Sequence, residues 1–285
     1  MTIHHLQRPE GRIAWTSEGN GPLVILIPGM GDTRATWREL VGPLAVGHRV
    51  VTMDLRGHGD SDTTFTRHGD EVTAQDALAL VEHLDSGPAV LVGNSMGASS
   101  AVWAAAERPD LVAGLVLVSP FLVVPRPSWA ARTLMHTTYR LIFARPWGAA
   151  VWARYYAGPL NKGRQADWLS AHVSTLRREF SRPDRMRSLR HLVVQLDHTG
   201  VAERAAAVAR AKVPSLVVIG ERDPDYRDPL AELARAEQVL GAEGLLVEDA
   251  AHYPQHQAPD VVIPAMMSLL GKVASDGERW AVTGA

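Results

Sequence analysis

The 285-residue sequence contains no cysteine, which excludes disulfide bonds, thiolate metal sites and a cysteine nucleophile. No apolar run approaches the ~18 residues that a membrane-spanning helix needs. The N-terminus, MTIHHLQRPEGR, lacks the apolar segment of a secretory signal. A formal net charge of only −2 argues against nucleic acid or an anionic surface as an obligatory partner. We therefore expect a soluble, cytoplasmic protein that binds neither nucleic acid nor membrane.

Short apolar runs rich in β-branched residues recur along the chain, each bounded by Gly, Pro or Asp. They lie at residues 22–29, 48–57, 89–94, 111–120, 213–223 and 244–252. Nearly continuous apolar runs of this length are typical of strands buried on both faces of a parallel sheet. Segments with helical spacing lie between them, at residues 72–84, 99–109 and 229–241. This alternation predicts a doubly wound α/β sheet, and residues 11–19 predict an added antiparallel strand at one edge.

One segment, residues 121–210, interrupts the pattern because it holds no run of the buried-strand kind. We interpret it as a helical insertion over the strand ends, where open α/β sheets bind ligands, and call it the lid. Residues 1–120 and 211–285 would then form the core. Residues 121–213 hold 16 Lys or Arg against 5 Asp or Glu. This basic character indicates either a solvated arginine-rich face or a surface that faces the pocket.

The motif Gly-Asn-Ser-Met-Gly stands where a predicted strand runs directly into a predicted helix, so the chain must turn sharply at Ser95. Gly93 and Gly97 lack the Cβ atoms that would clash with neighbouring backbone in so tight a corner. The helix N-terminus also favours negative charge developing beside the serine hydroxyl. These features predict a nucleophile elbow, and the alternative is a glycine-rich turn that binds nothing.

A serine hydroxyl is a weak nucleophile unless a base accepts its proton. His252 is the best-placed base, because it follows the last predicted strand and so lies at the same sheet edge as Ser95. His256 is expected at the surface, near the start of the C-terminal helix. No histidine pair has a convincing metal-ligand spacing, so we expect neither a metal nor a cofactor.

The base in turn needs a carboxylate that orients it and stabilises its protonated form. Asp223 directly follows the predicted strand 213–223, and Pro224 stiffens the turn that presents it. We favour Asp223 over its nearby competitors, which are Glu221, Asp225 and Asp228. The chain order Ser95, Asp223, His252 is the order expected on this fold.

Two backbone N–H groups are predicted to bind the oxyanion of a tetrahedral intermediate. One belongs to Met96, directly after the nucleophile. The other belongs to Met30, in the loop PGMGD at residues 28–32, where Pro28 has no N–H to offer. The stretch DLRGHGDSD at residues 54–62 is interpreted as a structural turn rather than as a site.

Taken together, these motifs resemble those of the α/β-hydrolase superfamily over nearly the whole chain. IPGMGD is similar to the family's oxyanion loop, DLRGHGDSD to its strand–turn signature, GNSMG to its elbow, GERDPD to its acid turn and AHYPQHQAPD to its histidine loop. Pro28 and Asn94 stand where many members have histidine. The elbow is also similar to that of C–C bond hydrolases, but Tyr253 follows the histidine where those enzymes usually have tryptophan.

The sequence therefore predicts a serine hydrolase that cleaves a small or medium-sized apolar ester through an acyl-enzyme on Ser95. A C–C bond hydrolase or a cofactor-free perhydrolase could use the same three residues. A ligand-binding protein on the same scaffold is the alternative from a different class, because fold does not dictate function.

Overall fold

The centre of the structure is one eight-stranded sheet, seen in a computed structural model that describes residues 2–123 and 128–283, with side chains described as far as residue 275. The strands are β1 (His4–Arg8), β2 (Gly11–Glu18), β3 (Leu23–Ile27), β4 (Arg49–Met53), β5 (Ala89–Asn94), β6 (Val112–Val118), β7 (Ser215–Gly220) and β8 (Glu243–Val247). Each predicted strand is present and begins within two residues of its predicted start. The predicted burial is wrong for β8, because this edge strand is buried only at Val247. The prediction of a doubly wound, mostly parallel α/β sheet is confirmed.

The strands follow the order β1-β2-β4-β3-β5-β6-β7-β8, and those from β4 to β8 in this order are mutually parallel. Strand β2 is antiparallel to β4, as predicted, but its predicted place at the edge is wrong. Strand β1 pairs outside it and forms the edge. Only Leu6 of β1 is buried, so this strand has no apolar run by which the sequence could reveal it.

Helices cover both faces of the sheet. They are α1 (Arg38–Ala45), α2 (Asp70–Leu84), α3 (Met96–Glu107), α4 (Trp129–Ile142), α5 (Gly148–Ala157), α6 (Leu169–Ser181), α7 (Pro183–Gln195), α8 (Val201–Arg210), α9 (Pro229–Leu240), α10 (Pro254–Gln257) and α11 (Pro259–Thr283). Strand β3 shows the two layers, because successive side chains alternate between faces. Ile25 packs with α2 and α3, whereas Leu26 packs with α1 and α11. No helix among the described residues combines the length and apolarity needed to cross a bilayer.

The segment between β6 and β7 contributes α4 to α8, which is the helical insertion that the sequence predicted. Helices α5, α6 and α7 form an apolar cluster of their own, centred on Trp152, Tyr156 and Phe180, and Tyr253 of the core joins it. Helix α8 packs instead on α3, and its residue Val208 belongs to the core cluster beneath the sheet. The division of the chain into core and lid stays a prediction. Residues of this segment line a cavity together with Ser95, which stands where β5 meets α3.

Candidate active site

Ser95 occupies the sharp turn between β5 and α3, with φ 55° and ψ −120°. Few non-glycine residues adopt this backbone conformation, which costs about 1–3 kcal/mol and is concentrated at functional sites. A Cβ on Gly93 would lie 2.2 Å from the carbonyl oxygen of Gly97, and one on Gly97 would lie 2.4 Å from that of Ile27. Both positions therefore require glycine, for the reason that the sequence suggested.

His252 and Asp223 form a buried hydrogen-bonded pair. The Nδ1 atom of His252 lies 2.9 Å from Oδ2 and 3.1 Å from Oδ1 of Asp223. Burial disfavours the charged imidazole, but its attraction to Asp223 and the hydrogen bond that Nδ1–H donates to that carboxylate outweigh burial and raise the pKa of His252 above 6.5. Conversely, burial alone would raise the pKa of Asp223, but attraction to His252 holds it below its ordinary value. The ring is thus oriented with Nδ1 towards the acid.

The other acidic residues of this turn lie in different positions. Oδ2 of Asp225 is 3.4 Å from Nδ1 of His252, but this carboxylate also accepts a hydrogen bond of 3.0 Å from the Tyr155 hydroxyl. Glu221 accepts a hydrogen bond from the backbone of the β8–α10 loop, and Asp228 caps α9. Asp223 is therefore the carboxylate in closest contact with the histidine.

Ser95 and His252 both line a cavity of about 1040 Å³ between the core and the lid. Among the described residues, no hydrogen bond joins the Ser95 hydroxyl to the His252 imidazole. Their proximity is shown by the cavity that both of them line. The elbow and the histidine loop are joined directly by Asn94, whose Nδ2 donates a 2.9 Å hydrogen bond to the backbone oxygen of His252. The structure thus brings Ser95, Asp223 and His252, which the sequence predicted to act together, to one region of the molecule.

The two predicted oxyanion donors belong to Met96 and Met30. Met96 is the first residue of α3, and Met30 is half-buried on the cavity wall. A Cβ on Gly29 would come within 3.2 Å of the Ser95 Cβ, so the loop that carries Met30 lies against the elbow. Free N–H groups at the first turn of a helix and in such a loop can stabilise a developing negative charge.

His58, in the turn DLRGHGDSD, holds the loop that carries Met30. Its Nδ1–H donates to the Arg56 carbonyl at 2.9 Å, so Nε2 is the acceptor for the N–H of Gly31 at 3.2 Å. Burial lowers the pKa of His58 to about 4, which keeps the ring neutral and Nε2 free to accept. The turn therefore supports the loop structurally, in line with its interpretation from sequence.

Asp32 joins the same loop to the lid, and sequence reasoning missed it. Its fully buried carboxylate accepts hydrogen bonds of 2.7 Å from the His172 ring, the Tyr156 hydroxyl and the Thr33 backbone. Burial raises the pKa of Asp32, but its interactions with His172 and Tyr156 outweigh burial and lower it overall. Trp152 adds a further contact from its Nε1 to the carbonyl of Gly31 at 2.8 Å. Two helices of the lid thus hold the predicted oxyanion loop in place.

The expected surface position of His256 is wrong, because the ring is buried beneath the lid. Its Nε2 lies 2.7 Å from Oδ1 of Asn161 and its Nδ1 lies 3.2 Å from the Thr36 hydroxyl. The ring also stacks on Tyr253 at a centroid distance of 5.0 Å. A residue covered by a distant segment cannot be recognised as buried from its own neighbours in sequence.

One cluster of side chains could offer ligands to a metal ion. Atoms of Asp223, Asp225 and His252 lie within 4.8 Å of one another, and the described part of the chain holds no other such group. A metal here would take the place of the hydrogen bond between His252 and Asp223. The same geometry is what a histidine base and its orienting carboxylate require.

Comparison with known proteins identifies the family. The profile of the alpha/beta hydrolase family matches residues 24–265, and the chain belongs to that family. A 2-(acetamidomethylene)succinate hydrolase from Mesorhizobium japonicum is 37% identical over 101 residues, which are 35% of this chain and 36% of that protein. The matches to the first curated relatives thus span about a third of those proteins.

Other similarities extend over nearly the full length. A probable esterase of Oryza sativa subsp. japonica is 27% identical over 271 residues, covering 88% of this chain and 92% of that protein. The structure of a thermophilic esterase from Thermogutta terrifontis, with malate bound, superposes with a TM-score of 0.78. It is 22% identical and covers 96% of this chain and 99% of that chain, a likeness that concerns the fold. Hydrolase chemistry is the activity to which the family points.

Proposed function

We propose that the protein is a serine hydrolase that cleaves carboxylic esters through an acyl-enzyme on Ser95. The observation that carries this proposal is the buried Asp223–His252 pair, whose histidine lines the same cavity as the strained Ser95. Neither feature is needed for a stable sheet, and strained backbone persists where function requires it. The rice relative, whose name describes a probable esterase, supports the same reaction class.

The reaction begins when Nε2 of His252 accepts the Ser95 proton and the serine oxygen attacks the ester carbonyl. The N–H groups of Met30 and Met96 bind the oxyanion of the tetrahedral intermediate. His252 then donates the proton to the leaving alcohol, which leaves the acyl group on Ser95. Water, deprotonated by His252, hydrolyses this acyl-enzyme and regenerates the serine hydroxyl with release of the acid. Asp223 stabilises the protonated ring in both half-reactions.

The substrate is a small or medium-sized ester with an apolar part. Part of the cavity wall is apolar and comes from the lid and its base, with Ile142, Phe143, Val151, Trp152 and Leu160 among its residues. Its volume of about 1040 Å³ is close to the upper end of ordinary small-molecule sites. Such a wall stabilises the bound acyl or alkyl chain by removing its apolar surface from water.

The expected cytoplasmic location stays a prediction.

The test is a series of p-nitrophenyl esters from acetate to laurate, assayed with the wild type, Ser95→Ala and Ser99→Ala. We expect a maximum at short to medium chains, loss of turnover in Ser95→Ala and retention in the Ser99→Ala control. A fluorophosphonate should label one peptide, the one that contains Ser95. Turnover or labelling that survives Ser95→Ala would overturn the proposal. If the enzyme cleaves a vinylogous 1,5-diketone but hydrolyses none of the esters, C–C bond hydrolysis would be favoured instead.

A further inference from the structure

A second imidazole–carboxylate pair places its ring in the wall of the same cavity, and the proposed mechanism does not use it. His198, in the loop between α7 and α8, lines the cavity. Its Nδ1 lies 2.7 Å from Oδ2 of Asp70, the first residue of α2. Asp70 is only 3% exposed, and the His198 side chain is 11% exposed. A buried carboxylate that orients a ring in a cavity is the same device that Asp223 provides for His252.

The hydrogen bond to Asp70 determines what His198 can offer a ligand. Because Nδ1–H donates to the carboxylate, Nε2 is the ring nitrogen left for a molecule in the cavity. In the protonated ring Nε2 is an N–H donor, and a donor held by a buried acid is suited to an oxygen acceptor. The second oxygen of Asp70 has no hydrogen-bond partner among the described residues, so the contact with His198 is the one that satisfies this carboxylate.

His198 lies close to the reacting groups. The Phe121 ring stacks on His198 at a centroid distance of 4.9 Å and lies 6.2 Å from the His252 ring. The two imidazoles therefore flank one phenyl ring along the cavity wall. A substrate of ordinary size that reaches Ser95 can thus also reach His198.

Arg132 of α4 lines the same cavity and brings a second set of N–H donors to it. The neighbouring acid, Asp197, also lines the cavity, but its Oδ1 accepts the backbone N–H of Thr199 at 2.9 Å. Its charge is thereby partly satisfied within the turn. A guanidinium group beside a ring whose Nδ1 is held by a carboxylate fits an anionic oxygen ligand better than it fits a neutral group.

We propose that His198, oriented by Asp70 and assisted by Arg132, binds a free carboxylate of the substrate, remote from the ester bond. The substrate class is accordingly an ester that carries a carboxylate at the end of its acyl or its alcohol part. This inference rests on the proposed ester hydrolysis. It assigns the polar wall of the cavity to recognition and the apolar wall to the chain between the two ends.

The experiment compares matched esters that differ only in a terminal carboxylate. The acyl-side pair is the p-nitrophenyl monoester of glutaric acid and p-nitrophenyl valerate. The alcohol-side pair is 3-carboxypropyl butyrate and butyl butyrate, followed by pH-stat. The measured quantity is the ratio of kcat/KM for the charged ester to that for the neutral one. The wild type should prefer the charged member of at least one pair by about tenfold or more, as expected of hydrogen bonds to a charged group.

His198→Phe and Arg132→Met should each move that ratio towards one, and His198→Gln, which keeps a side-chain N–H, should retain part of it. Arg140→Met is the matched control, because Arg140 is an exposed residue of α4 outside the cavity lining and the charge change is the same. Arg132 is exposed, so Arg132→Met should fold normally and still tests the inference if the His198 variants misfold.

Two results would overturn the inference while leaving the proposed function intact. One is a wild-type enzyme that hydrolyses both pairs through Ser95 with no preference for the carboxylate. The other is an equal loss with charged and neutral esters in His198→Phe and Arg132→Met, which would indicate a structural role. If neither pair is hydrolysed, or if Ser95→Ala retains turnover, the proposed function itself fails.

Discussion

The hydroxyl of Tyr156 donates a 2.7 Å hydrogen bond to the carboxylate of Asp32, and this bond joins a helix of the lid to the loop that carries Met30. Both groups are fully buried. The position of the Met30 N–H sets how well it can bind an oxyanion. The hydrogen bond between Tyr156 and Asp32 can therefore influence the reaction rate although neither residue takes part in the proposed chemistry.

Tyr156→Phe should therefore lower kcat more than it changes KM, because it loosens the loop without altering the cavity wall. It should also lower the free energy of unfolding by about 1–3 kcal/mol, since it leaves a buried carboxylate short of one hydrogen bond. Steady-state kinetics and urea denaturation measure the two effects. Tyr155→Phe is the control for stability, because that hydroxyl bonds the partly exposed Asp225. Wild-type kinetics and stability in Tyr156→Phe would show that this bond is unimportant.

Ser95, His252 and Asp223 should behave as one unit in mutant kinetics. Ser95→Ala and His252→Ala should each lower kcat by roughly three to six orders of magnitude, and the double variant should be hardly worse than either. Asp223→Asn should cost less, because nucleophile and base remain while the ring can adopt the wrong tautomer.

Asp225→Asn is the matched control for the acid, because Asp225 lies 3.4 Å from the same nitrogen of His252. It should have a much smaller effect than Asp223→Asn. The reverse order would mean that Asp225 is the orienting acid, and near-normal turnover in His252→Ala would rule out the proposed mechanism. Circular dichroism should show that each variant is folded.

The pH dependence of hydrolysis should report the raised pKa of His252. The base must be neutral to accept the serine proton, so activity is lost as pH falls through this pKa. Because Asp223 raises the pKa, the midpoint of the acid limb of kcat/KM should lie above the ordinary value of 6.5. In Asp223→Asn the His252 ring stays buried but loses the negative charge that stabilises its protonated form. The midpoint of the residual activity should therefore move to lower pH. A wild-type midpoint well below 6.5 would contradict the assignment.

Glu179 should destabilise the folded protein above neutral pH. Its Oε1 accepts the backbone N–H of Gly59 at 2.6 Å, but burial raises its pKa from 4.5 to about 7. Between these values the unfolded chain loses its proton while the folded chain keeps it, so stability falls as pH rises through this window and then levels off. Glu179→Gln, which mimics the protonated acid, should be more stable than the wild type at pH 8 by about 1–3 kcal/mol.

The same pair of proteins should differ little near pH 4, where both states of the wild type hold the proton. Urea denaturation at the two pH values measures the difference, with Glu107→Gln on the exposed face of α3 as the control. Equal stability of Glu179→Gln and wild type at pH 8 would show that the carboxylate is not desolvated.

Local chemistry allowed much of the fold and the candidate site to be predicted from the sequence. Continuous apolar runs such as β3 and β5 indicate buried parallel strands because both of their faces must be covered. The carboxyl ends of parallel strands meet at one edge, so Ser95, Asp223 and His252 could be expected to lie near one another there. The glycines flanking Ser95 were informative because a Cβ there has no room.

Only the tertiary structure decided the features that depend on contacts between distant segments. The edge strand β1 is recognisable through its pairing with β2, because its own side chains are mostly exposed. His256 and Asp32 are buried by the lid, and nothing in their neighbouring residues encodes that cover. The pairing of His198 with Asp70 joins residues 128 positions apart. Hydrogen-bond partners of this kind are set by packing geometry, whereas strands, helices and tight turns are set by local steric and hydrophobic patterns.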